Sequence, residues 1–174
     1  MIPDYSFELF FKAGAGPAVA EALAPSASPD CREALMQAIE LGAGSANLML
    51  IVNPADDAAV RRWDELSHID PSSPIDPAGE VWIGWIDVHV KVHDRVPYDD
   101  QYQTACLNLR LWPLTRLMQE TFLNSPTLRA WLVELLSSCS GLVGYISRGD
   151  GSLAEFWPHD RAPAGYEYEL VRQL

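Results

Sequence analysis

The chain is short of the features that would announce a chemistry. It has three cysteines, Cys31, Cys106 and Cys139, an odd number spread widely along the sequence. They read as reduced, mostly buried thiols of a reducing compartment rather than as a disulfide framework. Basic residues are scarce as well: 12 Lys and Arg face 24 Asp and Glu, for a formal net charge of −12. Phosphate contacts supply much of the affinity for nucleic acid, so this charge argues against nucleic acid and against anionic lipid surfaces as partners. No apolar run approaches the roughly 18 residues a membrane helix needs. The N-terminus, Met1-Ile2-Pro3-Asp4, lacks a basic region followed by an apolar stretch. Neither a membrane span nor a secretory signal is expected, which points to the cytoplasm. Also missing are a Gly-rich phosphate loop, a Gly-x-Ser-x-Gly elbow, a Cys-x-x-Cys pair and a His-Glu-x-x-His helix. No cofactor and no metal are expected. Internal repeats and low-complexity segments are lacking too.

What is present belongs to an ordinary globular protein, with 48% hydrophobic and 21% charged residues in 174. That length suits a single domain spanning residues 1–174, able to bury roughly 70% of the surface its unfolded form exposes. Tyr5, Phe7, Leu9 and Phe11 alternate with Ser6, Glu8 and Lys12, the period of a strand; Phe10 implies that the second face is partly covered too. A short Ala-rich helix over 17–24 follows, then a Pro-Ser break. Asp30 is a candidate N-cap for a helix carrying Leu35, Met36, Ile39 and Leu41, stopped by Gly42 and Gly44. Residues 47–52 form a short apolar strand. Asn53 is placed to cap a helix beginning at Pro54, with Val60, Trp63 and Leu66 on one face.

Pro71, Pro74 and Pro77 exclude a regular element over 67–79, leaving either a partner-contacting arm or a linker. The clearest strand signal comes next. Trp82, Ile86, Val88, Val90 and Val92 make one apolar face of residues 81–92, with Asp87, His89 and Lys91 opposite. Ala105, Leu107, Leu109 and Leu111 alternate in the same way with Thr104, Cys106, Asn108 and Arg110. Together these predict an antiparallel pair joined by an acidic loop. Pro113 opens a helical stretch, Asn124 or Ser125 caps a second helix, and Gly141 ends it. Gly149-Asp150-Gly151 turns a last hairpin, and 166–170 is a further candidate strand. The expected fold is α+β, a largely antiparallel sheet with helices packed on one side.

The acidic residues are unevenly distributed. Between Asn53 and Gln103 there are 11 acids against four bases, so −7 of the total of −12 falls in this segment. Asp70, Asp76, Asp94, Asp99 and Asp100 belong to two loops flanking a strand that carries Trp85 and Asp87. Aromatics on a polar strand face anchor protein interfaces, and acidic fields speed encounter with basic partners. The alternatives are a solvated face whose acidity aids solubility, and a second layer that covers the tryptophans. Asp87 and His89, two apart on one strand face and near Arg110 or Asn108, also suit a small acid/base site. A solvated sheet face with complementary charges is the favoured account of them. His89 and His93 would lie roughly 13 Å apart on a strand, too far for one zinc. Cys139 falls at a helix C-terminus, which disfavours a thiolate.

A small, acidic, cysteine-poor α+β chain with a Trp-rich sheet and no catalytic motif resembles the immunity proteins of bacterial polymorphic-toxin and type VI secretion systems. The likeness lies in Val81-Trp-Ile-Gly-Trp-Ile, Leu109-Arg-Leu-Trp-Pro and Gly141-Leu-Val-Gly-Tyr. It covers under half of the chain and is one of general character, so it transfers no functional residue. It implies a cytoplasmic inhibitor that blocks the active-site cleft of a cognate toxin, basic or nucleic-acid-targeting. The partner-binding residues expected on that reading are Asp70, Asp76, Trp85, Asp87, Asp94, Asp99 and Asp100. Two other readings stay open: a small hydrolase using Asp87, His89 and Arg110, and a structural or adaptor subunit.

Overall fold

Alternating apolar residues build one sheet, and helices cover one of its faces. The computed structural model describes residues 4–52, 57–67, 81–149 and 151–159. Within them the order is β1 (Tyr5–Lys12), α1 (Gly16–Leu23), a 3-10 turn (Ala24–Ser26), α2 (Pro29–Leu41), β2 (Ala43–Val52) and α3 (Ala58–Ser67). There follow β3 (Val81–His93), β4 (Cys106–Pro113), α4 (Arg116–Asn124), α5 (Pro126–Ser138), β5 (Gly141–Arg148) and β6 (Leu153–Trp157). The sheet order is β2-β3-β4-β1-β5-β6, with every pairing antiparallel. The expected α+β class, with a largely antiparallel sheet, is the observed one. The strand predicted at the N-terminus lies inside the sheet between β4 and β5, and β2 forms one edge.

Register sorts the residues into two faces. Phe7 sits opposite Leu111, Leu9 opposite Leu109 and Phe11 opposite Leu107, while Val88 and Val90 face Leu111 and Leu109. These side chains are buried under Val19, Leu23, Leu35, Ile39, Phe122 and Leu132 of the helices. Each such large apolar side chain contributes about 1.5–3 kcal/mol on leaving water. The other face stays polar except at one end. There the loop between β3 and β4 folds back, and Val96 and Tyr102 pack with Phe10, Cys106, Val143 and Tyr145 in a second, smaller core. This explains why Phe10 interrupts the alternation: it is fully buried from the far side.

Several local expectations are corrected. Asp30 lies in the first turn of α2, but Ser28 is the N-cap and Pro29 the first helical residue. Pro113 ends β4 rather than opening a helix; Thr115 caps α4, accepting from the Met118 N–H. Of the two caps offered for α5, Asn124 and Ser125, it is Ser125 that accepts from the Leu128 N–H. Asn53 and Pro54 lie outside the described residues. The cap of α3 is Asp57, whose Oδ1 accepts from the N–H groups of Ala59 and Val60 at 3.0 and 3.1 Å. Plain alternation along β6 would put Trp157 on the side of Leu153, which packs on the second core, but Trp157 packs against the main one. A bulge between Gly144 and Tyr145 shifts the β5–β6 register and reverses its side. The segments 68–80 and 160–174, with their predicted loop and last strand, lie outside the described residues.

Candidate functional site on the open face of the sheet

The polar face of β1, β3 and β4 holds a cleft of about 240 Å³, lined by Glu8, His89, Lys91, His93, Tyr98, Asn108, Arg110 and Trp112. The registry makes it: His89 pairs with Arg110, Lys91 with Asn108 and His93 with Cys106, while Glu8 pairs with Arg110 from the other side. At its floor is Glu8, only 3% exposed. A buried carboxylate must be paired and hydrogen-bonded. Glu8 Oε2 accepts from Asn108 Nδ2 at 3.1 Å, and Oε1 lies 3.5 Å from Arg110 Nε. Arg110 Nε also donates to Ser6 Oγ at 3.1 Å, and its guanidinium stacks over the Trp112 ring with 4.7 Å to the centroid.

The cleft shapes the titration of its neighbours. Burial pushes the Tyr98 hydroxyl above its ordinary value; the Glu8 charge adds to this and Arg110 opposes it. Burial pulls His93 below its ordinary value, helped by Lys91 and resisted by Glu8 and Asp94. Cys106 is raised by burial, against a backbone hydrogen bond at His93, as expected of an unreactive thiol. The three cysteines are free and buried.

Beside the cleft stands the β3–β4 loop, residues 94–105. It is tied down at both ends and in the middle. The Val96 N–H donates to the Tyr102 carbonyl at 3.1 Å, and the Tyr102 N–H to the Asp99 carbonyl at 3.2 Å. Asp99 Oδ1 accepts from the Gln101 N–H at 2.9 Å, and the Tyr145 hydroxyl donates to Asp99 Oδ2 at 3.4 Å. Tyr98 and Tyr145 meet edge-on with centroids 6.0 Å apart, each also against Phe10. Burial, Asp99 and Glu155 together hold the Tyr145 hydroxyl protonated far into the alkaline range. Asp94 and Asp100 point outward and are exposed. Asp100 lies 3.7 Å from Arg95, but with the two side chains 99% and 59% exposed this pair contributes about 0–1 kcal/mol.

The predicted site residues thus divide. Asp94, Asp99 and Asp100 share one ordered loop, with Asp99 a structural member of it. Asp87 is half-buried on the same sheet face, paired with Trp112 and Asn47. Asp70 and Asp76 lie outside the described residues, as does the side chain of Trp85. His89 and Arg110 line one cleft, whereas Asp87 does not. Sequence reasoning assigned Glu8 to the polar side of β1 and missed its role. The signal was Phe10, an aromatic on that same side, which implied a covered patch beside an acid.

No family model, curated protein or solved structure matches the chain. The functional reading therefore rests on its own residues. Among the described residues, no helix is long and apolar enough to cross a membrane.

Proposed function

We propose that this chain is a binding inhibitor of immunity type, which inserts the β3–β4 loop into the basic active-site cleft of a cognate toxin. The observation that supports this most is the loop itself. Its backbone and Asp99 are held by internal hydrogen bonds and by Tyr98 packed on the buried Phe10 and Tyr145 rings, while Asp94 and Asp100 project into solvent. A loop already ordered loses little entropy on docking. Carboxylates presented this way mimic an anionic substrate, and the net charge of −12 steers a basic partner toward them.

The test is association of the chain with the product of the adjacent gene, followed in real time at two salt concentrations. Asp94→Lys with Asp100→Lys should slow association by about tenfold and flatten its salt dependence. Association indifferent both to salt and to these changes would end the reading. The hydrolase alternative keeps one observation in its favour, the shared cleft of His89 and Arg110 over the buried Glu8. It predicts an activity abolished by His89→Ala, whereas an inhibitor retains its binding.

A further inference from the structure

On the opposite face, where the helices end, lies an apolar groove of about 780 Å³ between α1, α2 and the ends of β3 and β4. Ala20, Ile39 and Leu107 form its buried floor. Met36, Leu41 and Val92 form its walls and stand 48%, 75% and 53% exposed. Six large hydrophobic side chains are exposed among the described residues, and three of them gather here. Gly42 holds the junction open: it caps α2 with φ 65°, and a Cβ there would meet Val92 Cγ2 at 2.6 Å.

The charges at the rim decide what the groove takes. Its lining includes two acids, Glu21 and Glu40, and no Lys or Arg. Both acids sit in the last turns of their helices, α1 and α2, neither of which has a basic residue there. A carboxylate at a helix C-terminus opposes the helix dipole, so these positions are unfavourable for the helices themselves. A bound cation would relieve both. The geometry points to a docking site for a cationic amphipathic helix of a protein partner. Its apolar side chains at i, i+3 or i+4 and i+7 would fill the groove, and its Lys or Arg would meet Glu21 and Glu40. This goes beyond the loop-based reading, because it needs no toxin cleft and uses the other side of the sheet.

The experiment uses the full chain and a fluorescent Leu/Lys amphipathic helix of about 18 residues, long enough to fold, with its Leu/Glu counterpart as comparison. Anisotropy should show saturable binding of the Leu/Lys helix and none of the Leu/Glu helix. Leu41→Gln with Met36→Gln should weaken binding about tenfold. Glu21→Gln with Glu40→Gln should weaken it about threefold and flatten its salt dependence. Leu114→Gln, an exposed leucine outside the groove, should have no effect, nor should Asp94→Lys with Asp100→Lys. These exposed substitutions leave the fold intact, which circular dichroism checks. Equal binding by the groove variants would overturn the proposal, as would equal binding of the Leu/Glu helix. So would sedimentation showing a dimer that Leu41→Gln dissolves, since the occupant would then be a second copy. Loss of binding in the loop variant would move the peptide to the acidic loop and away from the groove.

Discussion

Asp57 illustrates how much one side chain carries here. It is 1% exposed and accepts four hydrogen bonds, from the N–H groups of Ala59 and Val60 on Oδ1, and from the Ser125 hydroxyl at 2.5 Å and the Thr127 N–H at 3.0 Å on Oδ2. It therefore ties the N-termini of α3 and α5 together. Burial alone would raise its pKa, but the bonds from Ser125, Val60 and Thr127 outweigh it and hold the carboxyl below its ordinary value. A depressed folded pKa contributes stability above the unfolded value of about 3.9, lost as pH falls through the folded one. Asp57→Asn puts an amide donor against two donors and should cost about 2 kcal/mol in denaturant unfolding at pH 7. The gap between the two proteins should stay constant above about pH 5 and narrow below about pH 4. A gap that widened in acid would contradict the assignment.

At the scale of the element, the α5–β5 junction and the β3–β4 loop make opposite demands. Helix α5 ends at Ser138 with Cys139 as its C-cap, and Ser140, at φ 57°, takes the left-handed turn that the sequence suggested for Gly141. Gly141 is needed for a different reason: a Cβ there would sit 2.4 Å from the Leu136 carbonyl oxygen. Ser140→Gly should accordingly stabilise the chain by about 0.5–1 kcal/mol. Gly141→Ala should destabilise it by about 1–3 kcal/mol, because backbone must move. Thermal unfolding of the pair checks both signs. In the loop, Asp99→Ala removes the Gln101 cap and the Tyr145 partner. Amide exchange of residues 96–102 should then quicken by about tenfold while β3 and β4 remain protected. Unchanged exchange would show that the aromatic cluster alone orders the loop.

Charge acts on the molecule as a whole. A net charge of −12 on 174 residues works against compactness by self-repulsion. Raising salt from about 20 to about 300 mM should shorten the screening length and raise the melting temperature by a few degrees. The same change should slow capture of a basic partner, so stability and association rate would move in opposite directions with ionic strength. A melting temperature that fell with added salt would mean that the surface pairs, such as Arg95 with Asp100 and Arg116 with Glu120, outweigh the repulsion.

Local pattern determined the strands, the helices and the α+β class, because periods of two and of three to four residues are properties of neighbouring positions. The β3–β4 pair, the β5–β6 hairpin and the coverage of Phe10 were legible in this way. So was the acidic loop, since Asp94, Asp99 and Asp100 are adjacent in the chain. Tertiary structure alone decided that β1 lies at the centre, which brings Glu8 against Asn108 and Arg110 about a hundred residues away. It also decided that Asp99 is internal while Asp100 is not, and that Met36, Leu41 and Val92 share a groove. Strand order and helix end positions depend on contacts between residues distant in sequence, and no short-range pattern encodes which distant pair will meet.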